Sequence, residues 1–308
     1  VASLLALLAA ELLTRLIGVP PEFGRILSVH GPTTRVVDGV PLWRPYEPRA
    51  SDEEIDRAAA SEDHFLIVGL GDSVLYGFGV PREQTYFEQA RAILAERSPR
   101  PVELVNLAVE GFSTAQENAR HAEVAPRLKG DLVVVHYWSD DARQYRLFGN
   151  HLVDFGDMDA DGRLVTQVLP LPRPVNDFLL VHARLYSLLT YVVVSRRRPE
   201  QQAEWTQVTR PLAAIHARTV ADGGRLLIIA SPDLFDAAPR PNADLPALRR
   251  FAAERGIEVL DPTPWLAGAA SKDVAFDGCH LNAEGHRRFA AGLAGYLMQH
   301  DLRAGAAP

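Results

Sequence analysis

Cysteine occurs once in the 308 residues, at Cys279, so no disulfide can form within the chain and the redox character of its compartment stays open. Cationic excess is missing too: 32 basic residues face 39 acidic ones, for a net charge of −7. No basic stripe broken by aromatics runs through the chain, which argues against a nucleic-acid surface. The one compact basic cluster, Arg196-Arg197-Arg198, reads as a solvated helix end or loop. Internal repeats and low-complexity tracts are absent. With hydrophobic content of 47% and charged content of 23%, global disorder is excluded. The length suits one large α/β domain with decorations.

The first segment departs from this average. Residues 1–18 are nearly all apolar, interrupted by Glu11 and Arg15, which stand four apart and can pair on a helix. The stretch is slightly short of the ~20 residues of a full span, and no basic region precedes it. We expect the end of an N-terminal membrane anchor here. The alternative is an amphipathic helix packed on the domain or lying in a membrane interface. Residues 19–60 are Pro-rich and irregular and read as a linker or docked arm.

A different rhythm fills residues 61–302. Short runs that are aliphatic on both faces recur at Phe65–Leu70, Val102–Leu107, Leu132–Tyr137, Leu226–Ala230 and Ile257–Leu260. Such runs fit parallel strands covered by helices on both sides. Between them Tyr86, Ala90, Ile93 and Leu94 share one helical face, Ser113-x-x-Gln116 resembles a capping box, and Asn282 can cap a last helix reaching Met298. The predicted fold is a three-layer α/β/α sandwich with a mostly parallel, flavodoxin-like, five-stranded sheet. Residues from about 143 to 211 break the pattern and read as an insertion. They hold a predicted hairpin, 152–155 against 164–167, then an apolar helical stretch around 178–194.

Two short motifs carry the chemistry. Ser73 stands just past the first strand in Gly71-Asp72-Ser73-Val74, and Asp277-Gly278-Cys279-His280 comes near the end of the chain. A serine at a parallel strand's C-terminal end projects its hydroxyl over the sheet, where the backbone N–H groups of the next turn converge. That hydroxyl needs a base to take its proton. His280 is the candidate, with Asp277 three residues earlier able to accept its other ring N–H.

At these motifs the sequence resembles the SGNH, or GDSL, hydrolase superfamily over roughly residues 65–298. Gly71-Asp72-Ser73 matches the nucleophile motif, and Asn106 to Thr114 is similar to the second motif. Asp277-x-x-His280-Leu281-Asn282 matches the last. The resemblance implies an esterase-type fold with an open site, Ser73, Asp277 and His280 as catalytic residues, and oxyanion donors from the N–H groups of Ser73 and Gly111. The third motif departs: Trp138-Ser139-Asp140-Asp141 stands where the family has Gly-x-Asn-Asp, putting Asp140 at the position of the oxyanion Asn. An ionised carboxylate only accepts hydrogen bonds, and loss of one oxyanion donor costs about 100- to 1000-fold in rate. Either Asp140 is protonated, a neighbour such as Asn118 substitutes, or hydrolysis is slow.

Other patterns fall short. Asp157-Met158-Asp159-Ala160-Asp161-Gly162 opens like a calcium loop, but its twelfth position is Val168, where Glu is needed, and a polar hairpin turn fits better. Gly69-x-Gly71 continues to Val74 rather than a third glycine, and Gly-x-Ser-x-Gly fails at Leu75. Cys279 reads as a small packing residue, and His286 as lying on the surface of the final helix. Trp138 and Asp72 are candidate substrate contacts, and Tyr137, Tyr145 and Phe148 could line the crevice. The expectation is a serine esterase or deacylase needing no metal or organic cofactor. Its partner would be a small acyl ester, such as an acylated glycan or lipid, with no nucleic acid. An O-acyltransferase with the same three residues, or a weakened or non-catalytic binding module, is the alternative. The N-terminal segment suggests an extracytoplasmic, membrane-anchored bacterial protein, with a cytoplasmic one as alternative.

Overall fold

The structure, a computed structural model, describes residues 2–17, 35–37, 40–42, 48–60, 63–139, 145–148, 151–154, 169–196 and 201–302. In chain order these form helix α1 (Ala2–Ile17), strands β1 (Arg35–Val37) and β2 (Val40–Leu42), helix α2 (Asp52–Ala59), strand β3 (Phe65–Gly71), and helices α3 (Ser73–Tyr76) and α4 (Tyr86–Arg97). Strand β4 (Val102–Asn106), helix α5 (Thr114–Val124), strands β5 (Leu132–Tyr137), β6 (Tyr145–Phe148) and β7 (His151–Asp154), and helices α6 (Arg173–His182), α7 (Arg184–Arg196) and α8 (Gln201–Ala221) follow. Strand β8 (Arg225–Ala230), helix α9 (Leu245–Ala253), strand β9 (Glu258–Leu260), and helices α10 (Ser271–Val274) and α11 (Ala283–His300) complete the order. The chain divides into two compact units: Val1–Tyr46 with Arg143–Glu204, and Glu47–Ala142 with Trp205–Pro308.

The second unit is built on a five-stranded sheet, every strand parallel to its neighbours, in the order β4-β3-β5-β8-β9. Strands β3 and β5 are buried along their whole length. Alternation along β3 sends Leu66, Val68 and Leu70 to one face, with Ile55, Val124, Leu212 and Leu248 from the helices. Phe65 and Ile67 point to the other, with Leu94, Phe289 and Leu293. Helices thus cover both faces, the three-layer α/β/α sandwich expected from runs that are aliphatic on both sides. Truncating a fully buried side chain here, Phe289→Ala for example, removes about 3–5 kcal/mol of stability.

The first unit contains α1, the antiparallel hairpins β1–β2 and β6–β7, and helices α6 and α7. The residue pair that interrupts α1's apolar run has a structural task. Arg15 Nε bonds Glu11 Oε1 at 2.7 Å, as the four-residue spacing predicts, and its Nη2 donates to the His182 carbonyl at 2.6 Å. Glu11 in turn accepts from the backbone N–H groups of Arg184 and Leu185 at 2.9 and 2.8 Å. These are orphan donors of α7's first turn, so a carboxylate from one helix caps another. Among the described residues no helix is long and apolar enough to cross a membrane.

Two features of the inserted region were not anticipated. Tyr145–Phe148 pairs with His151–Asp154, and the second arm of the predicted hairpin, 164–167, lies outside the described residues. The apolar stretch around 178–194 is two helices parted at Ala183, which adopts an extended conformation (φ −115°, ψ 102°).

Candidate active site

Strand β3 delivers Ser73 to the C-terminal edge of the sheet. Asp72 leaves the strand conformation and caps α3, its Oδ1 accepting from the Val74 N–H at 2.8 Å. Asp72 is 5% exposed, so the residue singled out as a substrate contact is buried in the turn that carries Ser73. A Cβ on Gly71 would come within 2.7 Å of Leu75 Cβ. The glycine that misses the dinucleotide pattern is therefore needed for the tight strand-to-helix turn behind Ser73.

His280 arrives from the other end of the chain. Asn282 caps α11 by accepting from the Glu284 and Gly285 N–H groups, an antiparallel bridge pairs Ala275 with Leu281, and the Phe276 N–H donates to the His280 carbonyl at 2.8 Å. This clamp sets the imidazole between its partners. Ser73 Oγ lies 2.8 Å from His280 Nε2, and His280 Nδ1 lies 2.7 Å from Asp277 Oδ2. Asp277 Oδ1 also accepts from the N–H groups of His280 and Cys279 at 2.8 and 2.9 Å. With the ring proton on Nδ1, facing a group that only accepts, Nε2 is left to receive the serine proton.

The electrostatics suit that direction of transfer. Burial opposes the charged form of His280, but the hydrogen bond and charge of Asp277, with the charges of Asp72 and Glu110, outweigh it and lift the pKa above the ordinary histidine value. Burial also works against the Asp277 carboxylate, yet the donors from His280 and Cys279 hold it well below the usual carboxylate range.

Gly111 sits in the loop after β4. The Phe112 N–H donates to the Val109 carbonyl at 3.2 Å, so Glu110 and Gly111 are the central residues of a tight turn, with Gly111 at φ 71°. A type II turn requires a positive φ at that position, which explains the glycine. Buried Asn106 ties this loop to the serine's helix: its Nδ2 donates to the Leu75 carbonyl and its Oδ1 accepts from the Ala108 N–H, both at 3.0 Å. Among the described residues the N–H groups of Ser73 and Gly111 have no protein acceptor, the state required of oxyanion donors.

The remaining expectations fare unevenly. Asp140 lies outside the described residues, as does the Asp157–Val168 segment. Asn118 accepts from Arg218 through its side-chain oxygen. Trp138 is 8% exposed and tilts against Phe235, ring centroids 6.5 Å apart. Tyr137 is a core residue, not a crevice lining: it is fully buried and its hydroxyl donates to Asp244 at 2.8 Å. His286 is also a correction. It is buried, its Nδ1 accepting from the Tyr86 N–H at 3.1 Å and its ring stacked on Tyr86. Cys279 is half-buried with its Sγ 3.4 Å from His280 Nδ1. Together Asp277, Cys279 and His280 place three donor atoms within 4.8 Å of one another, so a soft metal would have to compete with the Asp277–His280 hydrogen bond.

Sequence reasoning overlooked Glu110, whose half-buried carboxyl is pushed up by burial while the charges of His280 and Arg49 pull it down. It also overlooked Phe78, Phe235 and Phe276. Two of these were within reach, since Phe78 follows the serine motif by five residues and Phe276 immediately precedes Asp277.

A model of the GDSL-like Lipase/Acylhydrolase family matches residues 70–288, most of the chain. No curated protein matches. Among solved structures, TesA is 15% identical with a TM-score of 0.44, covering 76% of this chain and 98% of its own. LAE5, an α/β hydrolase enzyme from the metagenome of Lake Arreo, is 18% identical with a TM-score of 0.48, covering 79% and 99%. A mutant of Axe2, an acetyl-xylooligosaccharide esterase from Geobacillus, is 14% identical with a TM-score of 0.48, covering 80% and 99%.

Proposed function

The chain belongs to the GDSL-like lipase/acylhydrolase family, and on that premise we propose that it is a serine esterase working through Ser73, His280 and Asp277 on a small acyl ester. The observation carrying this is the continuous chain of contacts from Ser73 Oγ through His280 to Asp277, at 2.8 and 2.7 Å, between residues 207 positions apart. As Ser73 Oγ attacks the acyl carbon, its proton passes to His280 Nε2, and the carbonyl oxygen gains the charge that the Ser73 and Gly111 N–H groups receive. His280 then gives the proton to the leaving alkoxide as its bond to the acyl carbon breaks. Water repeats the sequence, leaving the acid and free serine. Asp277 keeps the Nδ1–H tautomer and stabilises the imidazolium in both halves. The test is Ser73→Ala with short p-nitrophenyl esters and a fluorophosphonate probe. Hydrolysis and labelling should both be lost, and retention of either refutes the assignment.

Acyl transfer to a sugar hydroxyl uses the same residues, and an added glycan that outcompetes water for the acyl group would reveal it. We also propose an extracytoplasmic, membrane-associated placement. It is supported by Leu5, Leu8, Leu12, Leu13 and Leu16 of α1, which are 56–77% exposed. Cosedimentation with zwitterionic vesicles, lost when Leu8 and Leu12 become Glu, is the check.

A further inference from the structure

Among the described residues of the sheet unit, the large apolar side chains left exposed are Phe78, Val220, Phe235 and Phe276. The three phenylalanines all border the residues around Ser73 and His280. Phe78 donates its backbone N–H to the Ser73 carbonyl at 2.9 Å, and its ring lies 4.8 Å from the His280 ring, inclined by 46°. Phe276 lies against the backbone of Gly79, where an added Cβ would stand 2.7 Å from its ring, so it extends the surface begun by Phe78. Phe235 covers Gly278, inside the Asp277–His280 turn, so closely that a Cβ there would fall 2.2 Å from its ring. Their exposures are 47%, 56% and 68% for Phe78, Phe276 and Phe235. Scattered exposed apolar residues need no explanation, but one ring on the His280 imidazole with two more on the adjoining backbone do.

We infer that Phe78, Phe276 and Phe235 form the subsite for the leaving alcohol, and that this alcohol is a neutral sugar ring. The inference rests on the esterase reading above. In that reading the carbonyl oxygen faces the N–H groups of Ser73 and Gly111, while His280 hands its proton to the leaving oxygen, so the alcohol must lie beside His280. Phe78 lies against the His280 ring, and Phe276 and Phe235 pack on Gly79 and Gly278, in the segments that carry Ser73 and His280. A flat aromatic face complements the apolar C–H face of a pyranose, and the half-buried Glu110 carboxyl next to Gly111 offers an acceptor to its hydroxyls. The acidic balance of the chain, −7, disfavours an anionic alcohol such as a phospholipid.

The experiment compares kcat/KM on an acetylated methyl glucopyranoside, ethyl acetate and ethyl octanoate, for the wild type and for Phe78→Ala, Phe235→Ala, Phe276→Ala and Phe276→Trp. Each alanine variant should lower the ratio of kcat/KM on the acetylated glucoside to that on ethyl acetate roughly tenfold, through KM for the glucoside. Phe276→Trp should restore the loss. Equal losses on all three esters would mean the rings merely pack His280, and a loss confined to the octanoate would put them on the acyl side; either result overturns the inference. Absence of Ser73-dependent turnover of every ester would instead refute the esterase reading. Calorimetric binding of the acetylated glucoside to Ser73→Ala protein, with and without Phe276→Ala, tests the subsite independently of turnover. Equal affinity in the two proteins would overturn it.

Discussion

Acidification should unfold this protein well before its carboxylates are neutralised. Three buried histidines in the sheet unit are held neutral chiefly by desolvation, with repulsion added on His121 from Arg218, on His286 from Arg49 and His280, and on His136 once His286 takes a proton. Their pKa values fall from 6.5 to about 4, 3 and 4. Geometry agrees: Nδ1 of His121 faces the Arg218 guanidinium at 2.9 Å, Nδ1 of His286 accepts from the Tyr86 N–H at 3.1 Å, and Nδ1 of His136 lies 2.7 Å from the Tyr86 hydroxyl. A histidine with a depressed folded pKa binds its proton more readily when unfolded, so its penalty is absent above about pH 6.5 and grows as pH falls toward the folded value. At about pH 5 each should cost about 2 kcal/mol, or ~6 kcal/mol summed over the three. His280, with its raised pKa, titrates in the opposite sense and offsets part of this. A typical total stability is about 5–15 kcal/mol, so most of the margin is at stake. Thermal unfolding followed by near-UV circular dichroism should show a Tm lower by more than about 10 °C at pH 5 than at pH 7.5. His121→Gln, which keeps an acceptor for Arg218, should remove roughly a third of that difference. An unchanged Tm, or the assigned C2–H resonances of His121, His136 and His286 titrating near pH 6.5, would refute the reasoning.

Further tests bear on the site. The acid limb of kcat/KM should follow a pKa above 6.5, because His280 must be neutral to act and its folded pKa is raised; Glu110→Gln should move that limb to lower pH by removing one of the charges responsible. Asp277→Asn should lower kcat by about 10⁴-fold while the fold is kept, since the wrong tautomer then faces Ser73. Asn106→Ala should lower stability by about 2–4 kcal/mol, as two buried hydrogen bonds joining the loops of Ser73 and Gly111 disappear; a urea midpoint shifted by less than the error of the fit would count against that. If Asp140 stands in for the oxyanion Asn, Asp140→Asn should raise ester hydrolysis by about 100-fold, and a fall would assign the carboxylate another role.

The sheet was legible because its central strands β3, β5 and β8 are buried on both faces and so appear as nearly unbroken aliphatic runs. Leu132–Tyr137 matches to the residue, and the other strand ends shift by one. The Ser73, Asp277 and His280 contacts were legible for a related reason: residues at strand ends and helix caps have positions that topology dictates. His286 was misread because a polar residue suggested the surface. Yet it stands three, seven and eleven residues before Phe289, Leu293 and Leu297, the buried face of α11, and that spacing held the answer. The break at Ala183 left no local mark, since no proline or glycine stands there. Its neighbours' N–H groups are satisfied by Glu11, some 170 positions away, a tertiary contact that no local window contains. The β6–β7 register was open to a closer reading, because Gly149-Asn150 between the strands is a two-residue hairpin signal.

The 207 positions separating Ser73 from His280 have a consequence for the making of the protein. A growing chain presents its serine motif early, but the proposed base does not emerge until almost the whole sheet unit has been synthesised. In the proposed mechanism the serine, until α11 docks on α4, is an ordinary alcohol, unable to attack esters in its surroundings. Recovery of fluorophosphonate labelling during refolding therefore times the docking of the last helix, and should lag behind the return of the central strands' signal.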